Sequence, residues 1–500
     1  MGVKKGIVLL TLVGLLTYFP SLFGNFVWDD EDFVYANKYV EEGRIDKFFT
    51  SSVTEGRGKS SNYYRPIQST VYSLVHSAFG FSPFHFHLVN IIVHIIAACL
   101  VYYFLHLLTA NRYPLAVFLT TLFFLIHPVQ TEAVSFISGL SDPLMVAFFF
   151  LTLIFYLKKQ ESRKFLYLSV ISLVLTLLSK ESGLVVLPVL LLLEILLRPK
   201  EIKRDLPILL LYIAIGAFYL LLRFTLLQFA DMSVLWGGSL YGGSLAVRIA
   251  TFFQNFFTYL GLLVFPRDLF MERDYSTTIV SSLVNPWSLA FILFNSAVPL
   301  LLFRFLKSSY ALFFYLSFLA AFFPFSGIVL INGIFYEHFL YLPLVFFFAS
   351  ILFLLGTNLD RKIIKVIIFI IFMAFIARSY LRQYDWIDNV RFYKQTLERA
   401  PQSVRVINNL GMAHAEKNEL NEATSVYEQG IEINPKVPNL YHNLANVYQA
   451  QGKFAEAEKN YLQAINADPN FRFSYFSLLN LYLQTNQKEK AEKISSFLPR

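Results

Sequence analysis

Long apolar runs separated by short polar or basic segments dominate residues 1–380. A helix that crosses a lipid bilayer needs roughly 20 mostly apolar residues, or fewer where protein shields part of it. The pattern predicts twelve membrane-associated helices, over residues 6–24, 86–108, 115–135, 143–157, 165–179, 183–197, 206–229, 249–265, 288–303, 310–330, 337–355 and 363–380. We therefore expect a polytopic helix bundle.

The placement of basic residues gives the predicted helices a direction. Lys and Arg gather in short clusters at 4–5, 158–164, 198–204, 304–307 and 361–365. Short basic loops are typical of the cytoplasmic side. With these clusters inside and the C-terminal region outside, residues 249–265 do not cross but form a re-entrant or interfacial helix within an outside loop at 230–287. Eleven spans result. The alternative is twelve spans with the C-terminal region inside.

The N-terminal run is open to two interpretations, a cleaved signal peptide or a retained first span. No small-x-small cleavage pattern precedes Pro20, and many further spans follow. These features favour a retained span.

Residues 381–500 repeat with a period of 34. Equivalent positions hold Leu410, Leu444 and Leu478, then Ala423, Ala457 and Ala491, then Pro401, Pro435 and Pro469. This register is typical of the tetratricopeptide repeat, in which two helices pack at a small residue and a proline ends the second helix. We predict full copies at 404–437 and 438–471 and a partial copy at 472–500. The fold class is thus all-α: a membrane bundle at 1–380 and a short repeat α-solenoid at 381–500.

Composition supports this division. Hydrophobic residues make up 56% of the 500 residues and charged residues 15%, whereas soluble proteins carry about 25% charged residues. The net charge of +8 lies in the loops between apolar runs, which indicates a membrane protein and not a nucleic-acid-binding one. Cys99 is the single cysteine, so no disulfide forms within the chain.

Two polar motifs lie in the first outside loop, at 25–85. Asp29 and Asp30 directly follow the first span, where a lipid-borne substrate presents its headgroup, and a carboxylate there can take a proton from an attacking hydroxyl. The alternative is an ordinary solvated acidic loop. Arg65, beside Tyr63 and Tyr64, can bind a phosphate through its guanidinium group. The alternative there is a surface arginine packed on tyrosines.

Further ionisable residues mark the predicted outside ends of later helices: His127, Glu132, Asp142, Lys180 and Glu337. Each could be a structural pair, but together they indicate a polar cavity at the outer membrane face. A second group, His87, Asn90 and His94, shares one face of a helix. Interhelical hydrogen bonds are the favoured interpretation of that face over a metal site. No metal ligand is assigned.

Together these motifs resemble the transmembrane and tetratricopeptide repeat-containing proteins. That family is related to protein O-mannosyltransferases and to the GT-C superfamily of glycosyltransferases. The resemblance covers nearly the whole chain and rests on FVWDD at 26–30, YRP at 64–66, HLVN at 87–90 with His94, HPVQTEAV at 127–134, KE at 180–181, EHFLYLP at 337–343 and Trp386.

The resemblance implies an inverting, GT-C type glycosyltransferase with eleven spans. Its donor is a sugar, mannose or a similar hexose, on a polyprenyl phosphate, and its acceptor is a hydroxyl, such as that of Ser or Thr in a protein. Asp29 would be the general base, with Asp30 orienting it or the sugar. Six further residues would bind substrate. Arg65 and Lys180 would bind the phosphate, and the others would line the rest of the substrate site: His127, Glu132, Asp142 and Glu337.

No cofactor is implied with certainty, and divalent metal use stays open because relatives differ. The repeats would bind the acceptor polypeptide or a partner on the extracytoplasmic side of a bacterial inner membrane or the endoplasmic reticulum. The sequence departs from relatives at Gln130, where they often have His, at Leu140-Ser141, where they often have Arg-Ala, and at His338, where they have Arg. The phosphate contact expected from that arginine is not carried over.

Two other functions compete with the transferase. A non-enzymatic scaffold or assembly factor would use the spans as an anchor and the repeats to recruit partners, but an anchor needs one span. A flippase for the lipid-linked sugar is the third alternative, distinguished by translocation without a covalent product.

Overall fold

A computed structural model describes residues 2–230, 236 and 238–497. The chain is 77% helical, and no strand occurs in the described part. It divides into two compact units, Met1–Ile387 and Asp388–Arg500. The first unit holds the apolar segments and the second holds the repeats, so the predicted fold class, a polytopic helix bundle followed by a repeat solenoid, is confirmed.

The first unit contains thirteen numbered helices. They are α1 Val3–Tyr18, α2 Pro66–Phe79, α3 Pro83–Thr109, α4 Pro114–Ile126, α5 Ser141–Lys158, α6 Arg163–Ser179, α7 Val186–Leu197, α8 Ile202–Thr225, α9 Leu245–Val264, α10 Pro286–Leu300, α11 Ser309–Phe322, α12 Pro343–Leu355 and α13 Lys362–Arg382. All except α2 correspond to the twelve segments predicted from the hydrophobic pattern.

Not all twelve apolar helices are long enough to cross a bilayer. Within the described residues, 7 helices meet that test by length and composition, or 8 if α4 and the helical segment at 128–135, which bend by 45°, count as one span. Two further apolar helices are shorter. The chain is therefore a multi-pass membrane protein, and the count of eleven spans is approximate. That α9 does not cross stays a prediction.

Aromatic side chains fill the interior of the bundle. Phe123 of α4 stacks on Phe348 of α12 with ring centroids 4.2 Å apart, and Phe253 of α9 stacks on Phe291 of α10 at 4.1 Å. Lipid tails are as apolar as these rings, so close packing and not exclusion of water holds the helices together. The polar residues at the helix ends are thus fixed by a rigid framework.

The first outside loop is more structured than the hydrophobic pattern suggested. Residues 66–79 form α2, which buries Gln68, Ser69, Tyr72 and Val75 and exposes Leu74. Pro66 opens this helix, where its missing N–H costs nothing. The buried face of α2 is largely polar, and it lies beside the candidate site described below.

In its described residues the second unit consists of the helix α14 Asn389–Arg399 followed by three helix pairs: α15 Val404–Glu416 with α16 Leu420–Ile433, α17 Pro438–Ala450 with α18 Phe454–Ala467, and α19 Arg472–Gln484 with α20 Lys488–Ser495. Ala423 and Ala457 are fully buried where the two helices of a pair meet, as the 34-residue register predicts. A Cβ at Gly411 would lie 2.5 Å from the Tyr427 ring, so the position is tightly packed, and the equivalent residue of the next repeat is the small, fully buried Ala445.

Two predicted segments extend beyond the described residues. The partial repeat at 472–500 includes residues 498–500, and the loop at 230–287 includes residues 231–235 and 237. Those residues lie outside the described part of the chain.

Candidate functional site

Asp30 is the most tightly held acid of the first loop. It is fully buried, and its carboxylate accepts hydrogen bonds from the backbone N–H of Val27 at 2.9 Å and from the N–H and hydroxyl of Ser138 at 2.8 and 2.6 Å. Burial raises the pKa of Asp30 to about 7, against the opposing effect of these hydrogen bonds. Between Val27 and Asp30, Trp28 holds a left-handed backbone with φ of 53°, a conformation that costs energy in non-glycine residues.

The turn that carries Ser138 is itself fixed by polar side chains of α2 and α3. Asn90 donates to the carbonyls of Phe136 and Ile137 at 3.0 and 3.1 Å, and Gln68 donates to the carbonyl of Ser138 at 2.7 Å. A Cβ at Gly139 would lie 2.7 Å from the carbonyl oxygen of Ala133, so only glycine fits there. The loop acid is therefore docked on a pre-formed turn.

Asp29 and Arg65 meet around Tyr63. Asp29 is partly buried, and the Tyr63 hydroxyl lies within electrostatic range of Asp29, Arg65 and Glu181. The Arg65 guanidinium lies over the Tyr63 ring, 4.6 Å from its centroid, and 3.9 Å from a carboxylate oxygen of Glu181. Nε of Arg65 is buried without a hydrogen-bond partner in the described part of the chain. Both motifs of the first loop thus face one polar region.

Lys180 lies at the end of α6 and pairs with the first turn of α5. Its Nζ lies 2.8 Å from both carboxylate oxygens of Asp142, and both side chains are 4% exposed. Burial lowers the pKa of Lys180, with Arg65 adding to that effect and Asp142 opposing it. Buried hydroxyls of Ser141 and Ser182 beside this pair have no partner among the described residues. Unpartnered buried polar atoms are costly, which is consistent with a polar ligand here.

Glu132 and Glu337 form the third part of the site. Glu132 accepts from the backbone N–H of Glu337 at 3.1 Å, while Glu337 accepts from the backbone N–H of Phe270 and from the Arg382 guanidinium, each at 2.6 Å. Arg382 also donates to the Thr131 hydroxyl at 2.6 Å. Lys180 lies within electrostatic range of Glu132, so this part adjoins the Lys180–Asp142 pair.

Of the eight candidate residues, the structure places His127 apart. Its Nε2 lies 3.1 Å from the carbonyl oxygen of Leu263, its Nδ1 accepts from the N–H of Val129 at 3.2 Å, and its ring packs on Phe375. With both nitrogens occupied, His127 connects the end of α4 to α9. The other seven, Asp29, Asp30, Arg65, Glu132, Asp142, Lys180 and Glu337, form one region that we call the site cluster.

On the face of α3 that carries His87, Asn90 and His94, the contacts favoured from the sequence are made by Asn90 and His94. His87 is buried, but neither ring nitrogen has a hydrogen-bond partner within the described residues. Nδ1 of His94 lies 2.5 Å from the Tyr341 hydroxyl and its Nε2 lies 3.1 Å from the carbonyl oxygen of Leu125. No group of three or more potential metal ligands occurs in residues 2–230, 236 and 238–497.

Sequence reasoning missed Ser138, Arg382 and Arg273. Arg382 resembles an ordinary cation flanking a span, yet it is 2% exposed. Arg273 lies under Phe270 and Phe335 with Nε 3.8 Å from Glu337. The sequence held one signal for Arg382. Residues 382–386 continue the apolar helix α13 with polar and aromatic side chains, which indicates a buried polar contact at that end of the helix.

Comparison with known proteins identifies relatives of both units. Models of the TPR repeat and the tetratricopeptide repeat match residues 411–452 and 438–471. A protein O-mannosyl-transferase of Caenorhabditis elegans is 27% identical over 448 residues, which is 84% of this chain and 62% of that protein. Protein O-mannosyl-transferase TMTC1 of Homo sapiens is 34% identical over 154 residues, 30% of this chain and 17% of the relative.

The human protein O-mannosyl-transferase TMTC4 is 30% identical over 202 residues, 35% of this chain and 27% of the relative. The chain thus spans less than two thirds of the length of these relatives. The predicted resemblance is confirmed: the chain is related to the transmembrane and tetratricopeptide repeat-containing protein O-mannosyl-transferases, and its C-terminal unit carries tetratricopeptide repeats.

Proposed function

We propose that the membrane unit is an inverting GT-C type glycosyltransferase that moves mannose or a similar hexose from a polyprenyl phosphate to a hydroxyl, that of Ser or Thr in a protein. The observation that carries the proposal is the docking of the acid pair. Asp30 is anchored to Ser138, and Asp29 shares the surroundings of Tyr63 with Arg65. Relatives named protein O-mannosyl-transferases support the choice of reaction.

The two acids take different roles because their surroundings differ. Asp30 is buried with its carboxylate committed to Val27 and Ser138, so it positions the loop. Asp29 is partly buried and is the general base. It removes the proton of the acceptor hydroxyl as the oxygen attacks the sugar carbon from the face opposite the phosphate.

The attack forms the new glycosidic bond and breaks the bond between the sugar carbon and the phosphate oxygen. The polyprenyl phosphate leaves with the electron pair, and the proton stays on Asp29. Arg65 and Lys180 stabilise the negative charge on the leaving phosphate, since cations in a dehydrated site act more strongly than in water. Glu132, Asp142 and Glu337 hold the sugar hydroxyls directly or through neighbours. His127 supports the site by packing.

The partners follow from this reaction. The repeats bind the acceptor polypeptide or a partner protein, a task that suits stacked helix pairs. The site cluster faces the extracytoplasmic side, because the basic segments at 158–164 and 198–204 lie at the opposite ends of α5–α8 from it. The helix α13 begins at the basic segment 361–365, so we place the repeats, which follow its other end, on the extracytoplasmic side as well.

The experiment replaces Asp29 by Asn and measures transfer from labelled polyprenyl-phosphate mannose in membranes. A positioned general base contributes about 10²–10⁴-fold, so Asp29→Asn should lose at least about a hundredfold. Asp46→Asn is the matched control, because Asp46 lies in the same loop with its side chain 61% exposed. Transfer by Asp29→Asn at the wild-type rate would refute the base, and lipid translocation without product would favour the flippase.

A further inference from the structure

His338 is a titratable residue that the proposed mechanism does not use, although it touches the site cluster. Its Nδ1 lies 2.5 Å from Oε1 of Glu132. The other oxygen of Glu132 accepts the backbone N–H of Glu337, and Glu132 is 1% exposed. A buried carboxylate that is held at one oxygen by a backbone N–H can orient the imidazole ring that contacts its other oxygen.

Aromatic neighbours fix the plane of the His338 ring. Tyr336 stacks on it with centroids 5.2 Å apart and planes 18° apart, and Phe339 meets it edge-on at 4.9 Å. The side chain nevertheless remains 21% exposed. Within the described part of the chain, Nε2 has no hydrogen-bond partner. The ring is held in one orientation with one nitrogen available.

The available nitrogen belongs to a ring surrounded by the charges of the site cluster. Lys180, Asp142, Arg65 and Glu181 all lie within electrostatic range of His338. These residues come from the first turn of α5, the end of α6 and the start of α2, so His338 lies where three elements of the cluster meet. With Nδ1–H donated to the Glu132 carboxylate, Nε2 of the neutral ring is an acceptor.

We propose that His338, oriented by Glu132, contacts the substrate and accepts a hydrogen bond at Nε2 from one of its hydroxyl groups. The inference rests on the proposed transferase function and adds a residue to it. Two hydroxyl sources fit this chemistry, the sugar of the donor and the Ser or Thr of the acceptor. Glu132 acts as a positioning residue, because it fixes which nitrogen carries the proton.

The first test compares His338→Ala with His338→Gln in the full-length chain. Loss of one neutral hydrogen bond should lower kcat/KM about three- to tenfold in His338→Ala. The Gln carbonyl can replace Nε2 as acceptor, so His338→Gln should stay within about threefold of wild type. The matched control is His106→Gln, which should not change kcat/KM. His106 lies in the last turn of α3, about 24 Å along that helix from Asn90. Equal losses in the Ala and Gln variants would overturn the hydrogen-bond assignment.

The source of the hydroxyl is resolved by measuring hydrolysis of the donor without acceptor beside transfer to an acceptor peptide. A sugar hydroxyl predicts that His338→Ala raises the KM for the donor and slows both reactions. An acceptor hydroxyl predicts slower transfer and unchanged hydrolysis. His338→Ala within twofold of wild type in both reactions would overturn the proposal while leaving the transferase function intact.

Glu132→Gln distinguishes a role in orienting the His338 proton from a role in packing alone, because the two side chains have nearly the same size. Its amide NH₂ would donate to Nδ1 and force the proton onto Nε2, so Nε2 could no longer accept. We expect this variant to lose as much kcat/KM as His338→Ala, with no further loss in the double variant. Additive losses would overturn the link between the two residues. A wild-type chain without any transfer would instead refute the proposed function itself.

Discussion

The two ends of α5 each carry a buried lysine–aspartate pair, but the groups around the two pairs differ. One end holds Asp142 and the site cluster. The other leads to Lys159, which with Glu194, Arg198, Arg204 and Asp205 forms what we call the basic-end network. The 18 residues of α5 separate the two by about 27 Å at the α-helical rise per residue.

The basic-end network pairs charge with charge. Asp205 lies 2.8 Å from Lys159 and 3.0 Å from Arg204, while Glu194 lies 2.7 Å from Arg198. The site cluster also makes ion pairs, Lys180 with Asp142 and Arg382 with Glu337. Its carboxylates in addition bind backbone N–H groups of separate loops, as Asp30 binds Ser138 and Glu337 binds Phe270. The same residue types thus connect helices at one end and shape a site at the other.

The polar atoms left over differ as well. Around Lys180, buried atoms of Arg65, Glu181, Ser141 and Ser182 lack hydrogen-bond partners in the described residues. In the basic-end network, Oε2 of Glu194 and Nζ of Lys159 likewise have no hydrogen-bond partner among the described residues, but both groups belong to ion pairs, Glu194 with Arg198 and Lys159 with Asp205. The difference is that the unpartnered atoms near Lys180 include the neutral hydroxyls of Ser141 and Ser182, for which no ion pair compensates. A polar ligand would satisfy such hydroxyls.

The largest stability effect is expected at the basic end. Asp205→Leu leaves Lys159, 3% exposed, without its carboxylate, and an uncompensated buried charge costs about 3–5 kcal/mol in the free energy of unfolding. Denaturant titration in lipid–detergent micelles measures this. The double variant Lys159→Met/Asp205→Leu removes both members of this buried pair and should recover most of the loss. Equal destabilisation by the single and double variants would contradict a structural ion pair.

The next largest effect concerns anion binding at Arg65. Arg65→Lys keeps the charge but loses the planar fork that matches a phosphate. Hydrogen bonds to charged groups contribute about 1.5–3 kcal/mol, so we expect the Kd for the polyprenyl-phosphate donor to rise about tenfold or more. Arg44→Lys, in the same loop with its side chain 42% exposed, is the control. Unchanged donor affinity in Arg65→Lys would show that the Arg65 guanidinium does not bind the donor phosphate.

A further effect is a pH dependence of the free energy of unfolding that comes from Asp30. Its pKa is raised to about 7 from about 3.9 in the unfolded chain. The folded state therefore binds more protons between these values, and its stabilising contribution, complete below about pH 4, is lost as pH rises through about 7. Unfolding titrations at several pH values should show a shallower slope in Asp30→Asn. Identical slopes in both proteins would disprove the assignment.

The sequence predicted the helices better than their contacts. Long apolar runs identify membrane helices from composition alone, and a repeat in register identifies the solenoid. Helix α2 was missed because Gln68, Ser69 and Tyr72 interrupt any apolar run on its buried face. Its burial depends on the turn at Ser138, which is distant in the sequence.

The site was only partly predictable for the same reason. Asp30, Lys180 and Glu132 could be named as candidates because acids and cations at the ends of apolar runs are rare, and the structure brings these three into the site cluster. Arg382 and Ser138 gave no such signal, since their roles arise from contacts with residues far away in the chain. His127 illustrates the opposite error of inference: a polar residue at a helix end can be committed to packing, as its two occupied nitrogens show.

The most direct test compares matched double substitutions at the two ends of α5. Asp142→Leu/Lys180→Met and Lys159→Met/Asp205→Leu each replace a buried pair with apolar side chains. The measurement is the initial rate of mannose transfer from polyprenyl-phosphate mannose, per folded molecule. We expect the first variant to lose at least about a hundredfold, since it removes preorganised charge from the reaction, and the second to stay within twofold of wild type. Equal losses in both variants, or none in the first, would contradict the assignment of the site cluster to catalysis.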